Sequence, residues 1–224
     1  MIIVAVILLL AIFTLPNLWA RWVINRHSRG RDDYPGTGAE LADHLLRRLG
    51  IEGVEVEPTE QGDHYDPEAR RVRLSPEVYG GRSLTAVTVA AHEVGHAIQH
   101  HQGYAPLLAR SRLVGVAQKA EKLGAVLMMA APLLFLLTRL PGGLAIVVVA
   151  AVISFGTAAL VHLVTLPVEF DASFQRALPL LKEYIPPYDM PGARHVLTAC
   201  AFTYVAASLA SMLNLGRWLV ILRR

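Results

Sequence analysis

The sequence predicts a mainly α membrane protein, with about four transmembrane helices joined to a small α+β domain. Three observations carry that expectation. Hydrophobic residues make up 54% of the 224 residues and charged residues only 17%, more apolar material than the core of a soluble domain this size consumes. Four stretches, Ile2 to Leu18, Leu123 to Leu137, Leu144 to Leu166 and Val196 to Leu222, approach the ~20 residues that cross a bilayer. The net charge of +3 flanks those stretches instead of pooling into a basic stripe with interleaved aromatics. That placement suits lipid headgroups and excludes nucleic acid as a partner. A single cysteine, Cys200, excludes an intrachain disulfide and a cysteine-rich metal site.

Residues 1–24 form the first expected span. Trp19 and Trp22 stand where interfacial anchors would, and Arg21, Arg26, Arg29 and Arg31 follow. A secretory signal carries its charge before the apolar run, so this order predicts an uncleaved helix whose C-terminal end faces the cytoplasm.

Residues 25–120 are the largest polar region and read as a cytosolic domain. In "TGAELADHLLRRLG", Thr37 and Glu40 have capping-box spacing, Leu41, Leu45, Leu46 and Leu49 share a face, and Gly50 stops the helix. "VEVEP" and "RRVRLS" alternate as strands do and "GDHYDPEA" reads as a turn, so 53–75 predict a β-hairpin. Within its second strand Arg71, Arg73 and Ser75 alternate with Val72 and Leu74. That strand either offers an edge to an extended peptide or packs the hairpin onto the domain. A helix capped by Ser83 comes next, ended or bent at Gly103 and Pro106.

Residues 121–167 predict a transmembrane helical hairpin turned at "TRLPGG", and 168–195 a polar helix and loop. Residues 196–224 complete the expectation as a transmembrane or partly interfacial helix. Arg223 and Arg224 oppose four full spans, which favours a re-entrant course after Asn214.

"AAHEVGHAIQHH" carries the chemistry. On a helix His92 and His96 stack on one face about 6 Å apart along the axis. Two imidazoles so placed can bind one zinc at roughly 2.1 Å each. Glu93, one step round, can take the proton of a water activated there. This is the H-E-x-x-H logic of zinc peptidases. His100 is excluded as a further ligand of the same ion, because eight residues of helix separate it from His92 by about 12 Å. A third ligand must come from another segment, and His64, Asp66, His162, Glu169, Asp171, His195 and Cys200 are the candidates. Glu169 and Asp171 end an apolar stretch, where an acid is costly without a partner. That partner is either a metal or, for Glu169, Arg176 or Lys182.

"HEVGHAIQH" followed by "LPVEFDAS", with "DHYDP" and "RLSPEVY" upstream, resembles the YugP-type neutral zinc metallopeptidases. These are membrane gluzincins distantly similar to HtpX-type and CAAX-prenyl-protease-type peptidases. The likeness runs from the first span through Ala177. It implies a zincin-like domain with Zn2+ held by His92, His96 and Glu169, and Glu93 as catalytic base. In HtpX-like chains an aspartate four residues after the glutamate supports a zinc histidine, whereas Ser173 holds that place here.

The expected function is therefore a zinc-dependent endopeptidase acting on membrane-associated or unfolded proteins at the cytoplasmic face of a bacterial plasma membrane. Its partners are the lipid bilayer and protein or peptide substrates, with a homo-oligomer or membrane-protein partner left open. The alternative is a zinc-binding membrane scaffold or assembly factor without turnover, which would share the ligands but have no use for Glu93.

Overall fold

Helix α1 (Ile2–Arg26) enters the domain with its last turns, where Ala20 and Val23 are buried. This is a computed structural model of the chain; it describes residues 2–116, 119, 122, 126, 161 and 164–203, with side chains from Thr14 onward. Helix α2 (Gly38–Arg48) starts as its sequence dictates. The Thr37 hydroxyl accepts from the Glu40 N–H at 3.2 Å, and the Glu40 carboxylate accepts from the Thr37 N–H at 2.7 Å. Its apolar face buries Ala42, Leu45 and Leu46, and Gly50 follows with φ +64°, the left-handed turn that ends a helix.

Three strands come next: β1 (Glu55–Pro58), β2 (His64–Asp66) and β3 (Arg71–Leu74). Their order is β1-β3-β2, with β1 parallel and β2 antiparallel to β3. This corrects the expected hairpin. The segment read as a turn carries a strand, β2, and "VEVEP" therefore meets "RRVRLS" in parallel across a connection that contains it. Both edges of β3 are paired, so it is not available to a peptide. One face of the sheet is a ladder of charges: Glu57 accepts from Arg71 at 2.7 Å and from Arg73 at 2.6 Å, and Asp66 accepts from Arg73 at 2.7 Å. The opposite face puts Val72 and Leu74 into the core.

A one-turn helix α3 (Pro76–Tyr79) leads to α4 (Leu84–His101), capped by the Ser83 hydroxyl on the Ala86 N–H at 3.1 Å. Every residue of α4 from Leu84 to Gln99 is buried, so this helix is the axle of the domain. It packs on α2, on the sheet and on a helix spanning 164–181, whose middle, Asp171–Ala177, is π-helical. A helix at 105–116 follows Gly103, and the last described helix covers 190–203. Asp189, at the foot of that last helix, accepts from Arg31 at 2.8 Å and from the Tyr34 hydroxyl at 2.9 Å, tying it to the loop after α1.

This packing corrects the expected fold class of a mainly α membrane protein with about four transmembrane helices. Among the described residues the architecture is α+β, and no helix is long and apolar enough to cross a membrane. From the last turns of α1, Ala20 and Val23, and from the start of the last apolar stretch, Val196, Leu197 and Ala199, belong to one buried cluster with Val72 and Val94. The expected hairpin at 121–167 lies outside the described residues, apart from 122, 126, 161 and 164–167, and so do 204–224.

Gly95 sets the distance between α4 and the π-helical segment. A Cβ built there would lie 2.7 Å from the carbonyl oxygen of Ala172, a backbone atom that cannot step aside alone. Gly95→Ala should therefore destabilise the protein by about 1–3 kcal/mol, as overpacking does. At Gly30, where a Cβ meets nothing within 4 Å, alanine should change stability by no more than about 0.5 kcal/mol. Urea unfolding midpoints of the two variants check this, and equal midpoints would show that α4 does not need the close approach.

Candidate metal centre

Helix spacing brings His92 and His96 to ring centroids 4.8 Å apart on the buried side of α4. The helix at 164–181 crosses that face and delivers Glu169, which has no exposed surface. Oε2 of Glu169 lies 3.2 Å from Nε2 of His92 and 3.2 Å from Nε2 of His96. Ligands held about 2.0–2.1 Å from one tetrahedral zinc stand roughly 3.3 Å from each other, so these atoms are spaced for a common ion. All three ligand atoms lie within 4.8 Å of one another.

The far sides of the two rings decide their protonation. Gln99 donates from its amide nitrogen to the Val168 carbonyl at 2.8 Å and to Asp171 at 2.7 Å. Its oxygen is thus turned to His96 Nδ1, 3.0 Å away, and must accept from it. Ser173 Oγ donates to the Leu197 carbonyl at 3.3 Å and lies 3.0 Å from His92 Nδ1, whose proton it accepts. Each ring then carries its hydrogen on Nδ1 and presents the Nε2 lone pair. Two lone pairs and a carboxylate oxygen aimed at one buried point are a donor set for a cation, and zinc's preference for nitrogen with oxygen fits it. Burial opposes charge on Glu169, and two Nε2 lone pairs do not offset it, so the site favours a cation at the point the three atoms share.

Glu93, one step round α4 from His92, lies on the same side as His96. Burial pushes its carboxyl up to about 7, against the pull of His92. Together with His96 it lines the floor of a cleft of about 260 Å³. Strand β2 forms one wall, and the helix 105–116 forms the other through Leu107, Arg110 and Val114. The Tyr65 main-chain N–H lies close enough to the Glu93 carboxylate to oppose the upward shift, so the outer edge of β2 faces it. A larger cavity of about 450 Å³ between α2 and Tyr184 contains none of these residues.

The other candidates have separate fates. His64 lines the cleft with Nδ1 on the Gly62 carbonyl at 2.8 Å, and Asp66 caps the turn at Glu68 and Ala69. Asp171 stands behind Gln99 and accepts from Arg176 at 2.7 Å instead of joining the cluster. His195 lies in a separate groove with His27 and Trp22, and His162 is outside the described residues. Burial pushes the Cys200 thiol well up, which disqualifies it as a nucleophile. His100, excluded as a ligand of the same ion, meets the Tyr65 hydroxyl at 2.8 Å. Sequence reasoning missed three residues of the centre. Gln99 had a signal, its place three positions after His96, and Ser173 had one in replacing the expected aspartate; Arg110 had none.

Comparison with known proteins agrees with the geometry. The family model described as "Putative neutral zinc metallopeptidase" matches residues 1–223. The "Putative membrane protease YugP" of Bacillus subtilis (strain 168) is 39% identical over 212 residues, covering 92% of this chain and 91% of that protein. No solved structure matches.

The partners behind the rings generate a test. Ser173→Ala removes the acceptor of the His92 proton, and Gln99→Leu that of His96. Each should weaken zinc binding about 10–100-fold while the fold persists, as read by competition against a chromogenic chelator. Unchanged affinity in both would separate these contacts from metal binding.

Proposed function

We propose, from the premise that this chain belongs to the neutral zinc metallopeptidase family, that it is an endopeptidase whose zinc is held by His92, His96 and Glu169 and whose base is Glu93. The observation that carries the reading is the convergence of two Nε2 atoms on Glu169 Oε2, 3.2 Å from each, beside a separate buried carboxyl. Zinc in such a site supplies Lewis acidity, drawing charge from a peptide carbonyl and making a water acidic enough to lose its proton near neutral pH. Glu93 takes that proton and returns it to the leaving amine. Burial raises the Glu93 carboxyl, which favours holding the proton between the two transfers.

The outer edge of β2 is where the peptide lies. It is the edge that faces Glu93, and main-chain pairing there reads backbone rather than side chains. Loose side-chain specificity suits unfolded protein substrates. A bilayer is the proposed setting, with the site on its cytoplasmic face. Support comes from the name of the relative and from the surface of α1, where Leu15, Leu18, Trp19 and Trp22 are exposed and Arg26 stacks over Trp22 at 5.2 Å. Trp19 meets Phe202 and Phe202 meets Phe170, so this aromatic surface runs as far as the residue next to Glu169 in the chain.

Glu93→Gln should retain zinc and fold while hydrolysis of an unfolded fluorescent protein falls about 100–10,000-fold. Full hydrolysis by the variant would sink Glu93 as the base, and none by the wild type would replace the peptidase with a zinc-binding scaffold. Glu169→Ala should lose bound zinc by elemental analysis, whereas Asp171→Ala should keep most of it, since Asp171 touches the centre only through Gln99. The reverse order would overturn the ligand assignment.

A further inference from the structure

Glu169 has two carboxylate oxygens, and the two are treated differently. Oε2 faces both histidines, while Oε1 accepts from Arg110 Nη1 at 3.0 Å. The expected counter-ions are engaged elsewhere or remote: Arg176 binds Asp171, and Lys182 is exposed. Arg110 comes from the cleft wall. Its side chain is 19% exposed, so it brings a positive charge from the cleft to a carboxylate that has no solvent of its own.

A carboxylate oxygen buried without a partner is costly, and a charge-assisted bond from a guanidinium is among the strongest ways to satisfy it. Without that bond the nearest electrophile for Oε1 would be the ion already held by Oε2. Both oxygens would then bind it and fill the coordination position that a catalytic zinc site keeps open.

We propose that Arg110 is a positioning residue that fixes how Glu169 ligates the metal, holding Oε1 away so that the carboxylate binds through Oε2 alone. The inference rests on the zinc-peptidase reading above and adds to it the control of coordination number. It also places that control on the substrate cleft, because Arg110 and the substrate share the wall formed by helix 105–116.

The test uses the full chain with Arg110→Ala and Arg110→Lys. Zinc affinity is measured by chelator competition, and coordination number by the visible absorption of the cobalt-substituted protein, which is intense for four ligands and weaker for five. Arg110→Ala should bind zinc at least as tightly as the wild type, because a second carboxylate oxygen joins the ion and a nearby positive charge is gone, and it should lose cobalt absorption per bound ion. Arg110→Lys keeps a cation within reach; it should lie between alanine and wild type, and it serves as the folded variant if alanine does not fold. Wild-type affinity together with a wild-type cobalt spectrum in a folded variant overturns the proposal. Absence of zinc binding by the wild type would instead sink the metallopeptidase reading, so the two failures are distinguishable.

Discussion

A carboxylate with no exposed surface is the constraint on which the rest of this structure depends. Glu169 can stay charged inside the domain only because the Arg110 guanidinium meets Oε1 and two imidazole Nε2 atoms share with Oε2 a point fitted to a cation. That requirement fixes the crossing of two helices. Gly95 lets the backbone of the π-helical segment approach α4, and Ser173 within the same segment then reaches His92. A π-helical turn at such a place is consistent with the tendency of these turns to occur at functional sites. On the opposite side Gln99 joins His96 to Asp171, and Asp171 to Arg176, so the two rings are locked by neutral partners that are themselves held.

Local rules were legible in the sequence because they act over three or four residues. The Thr37–Glu40 box, the Ser83 cap and the pairing of His92 with His96 all follow from helix periodicity alone. Sheet order was not legible. "GDHYDPEA" has the composition of a turn, yet His64 to Asp66 pair with Arg71 to Arg73, and nothing local distinguishes a turn from a three-residue strand. Glu169 could be nominated by the cost of an acid at the end of an apolar run. Arg110 could not, since its partner lies 59 positions away and no spacing rule connects them.

Hydropathy misled for a physical reason. It measures the wish to leave water without naming the destination, and protein interior satisfies that wish as well as lipid does. Ala193, Val196, Leu197 and Ala199 look like the start of a span, but they form one wall of the core around α4. Small residues among them allow the close helix packing that a buried polar centre demands, so their abundance reflects the site as much as the solvent.

The hydrogen bond between Tyr65 and His100 gives the cleft a mechanical asymmetry. His100 lies on α4 one turn beyond His96, and Tyr65 belongs to the strand whose edge faces Glu93. Floor and one wall are thereby tied to the same helix. The opposite wall, the helix at 105–116, is joined to α4 through the left-handed turn at Gly103, φ +64°. One wall of the cleft is thus pinned to α4 through Tyr65, and the other meets the buried centre through the bond from Arg110 to Glu169.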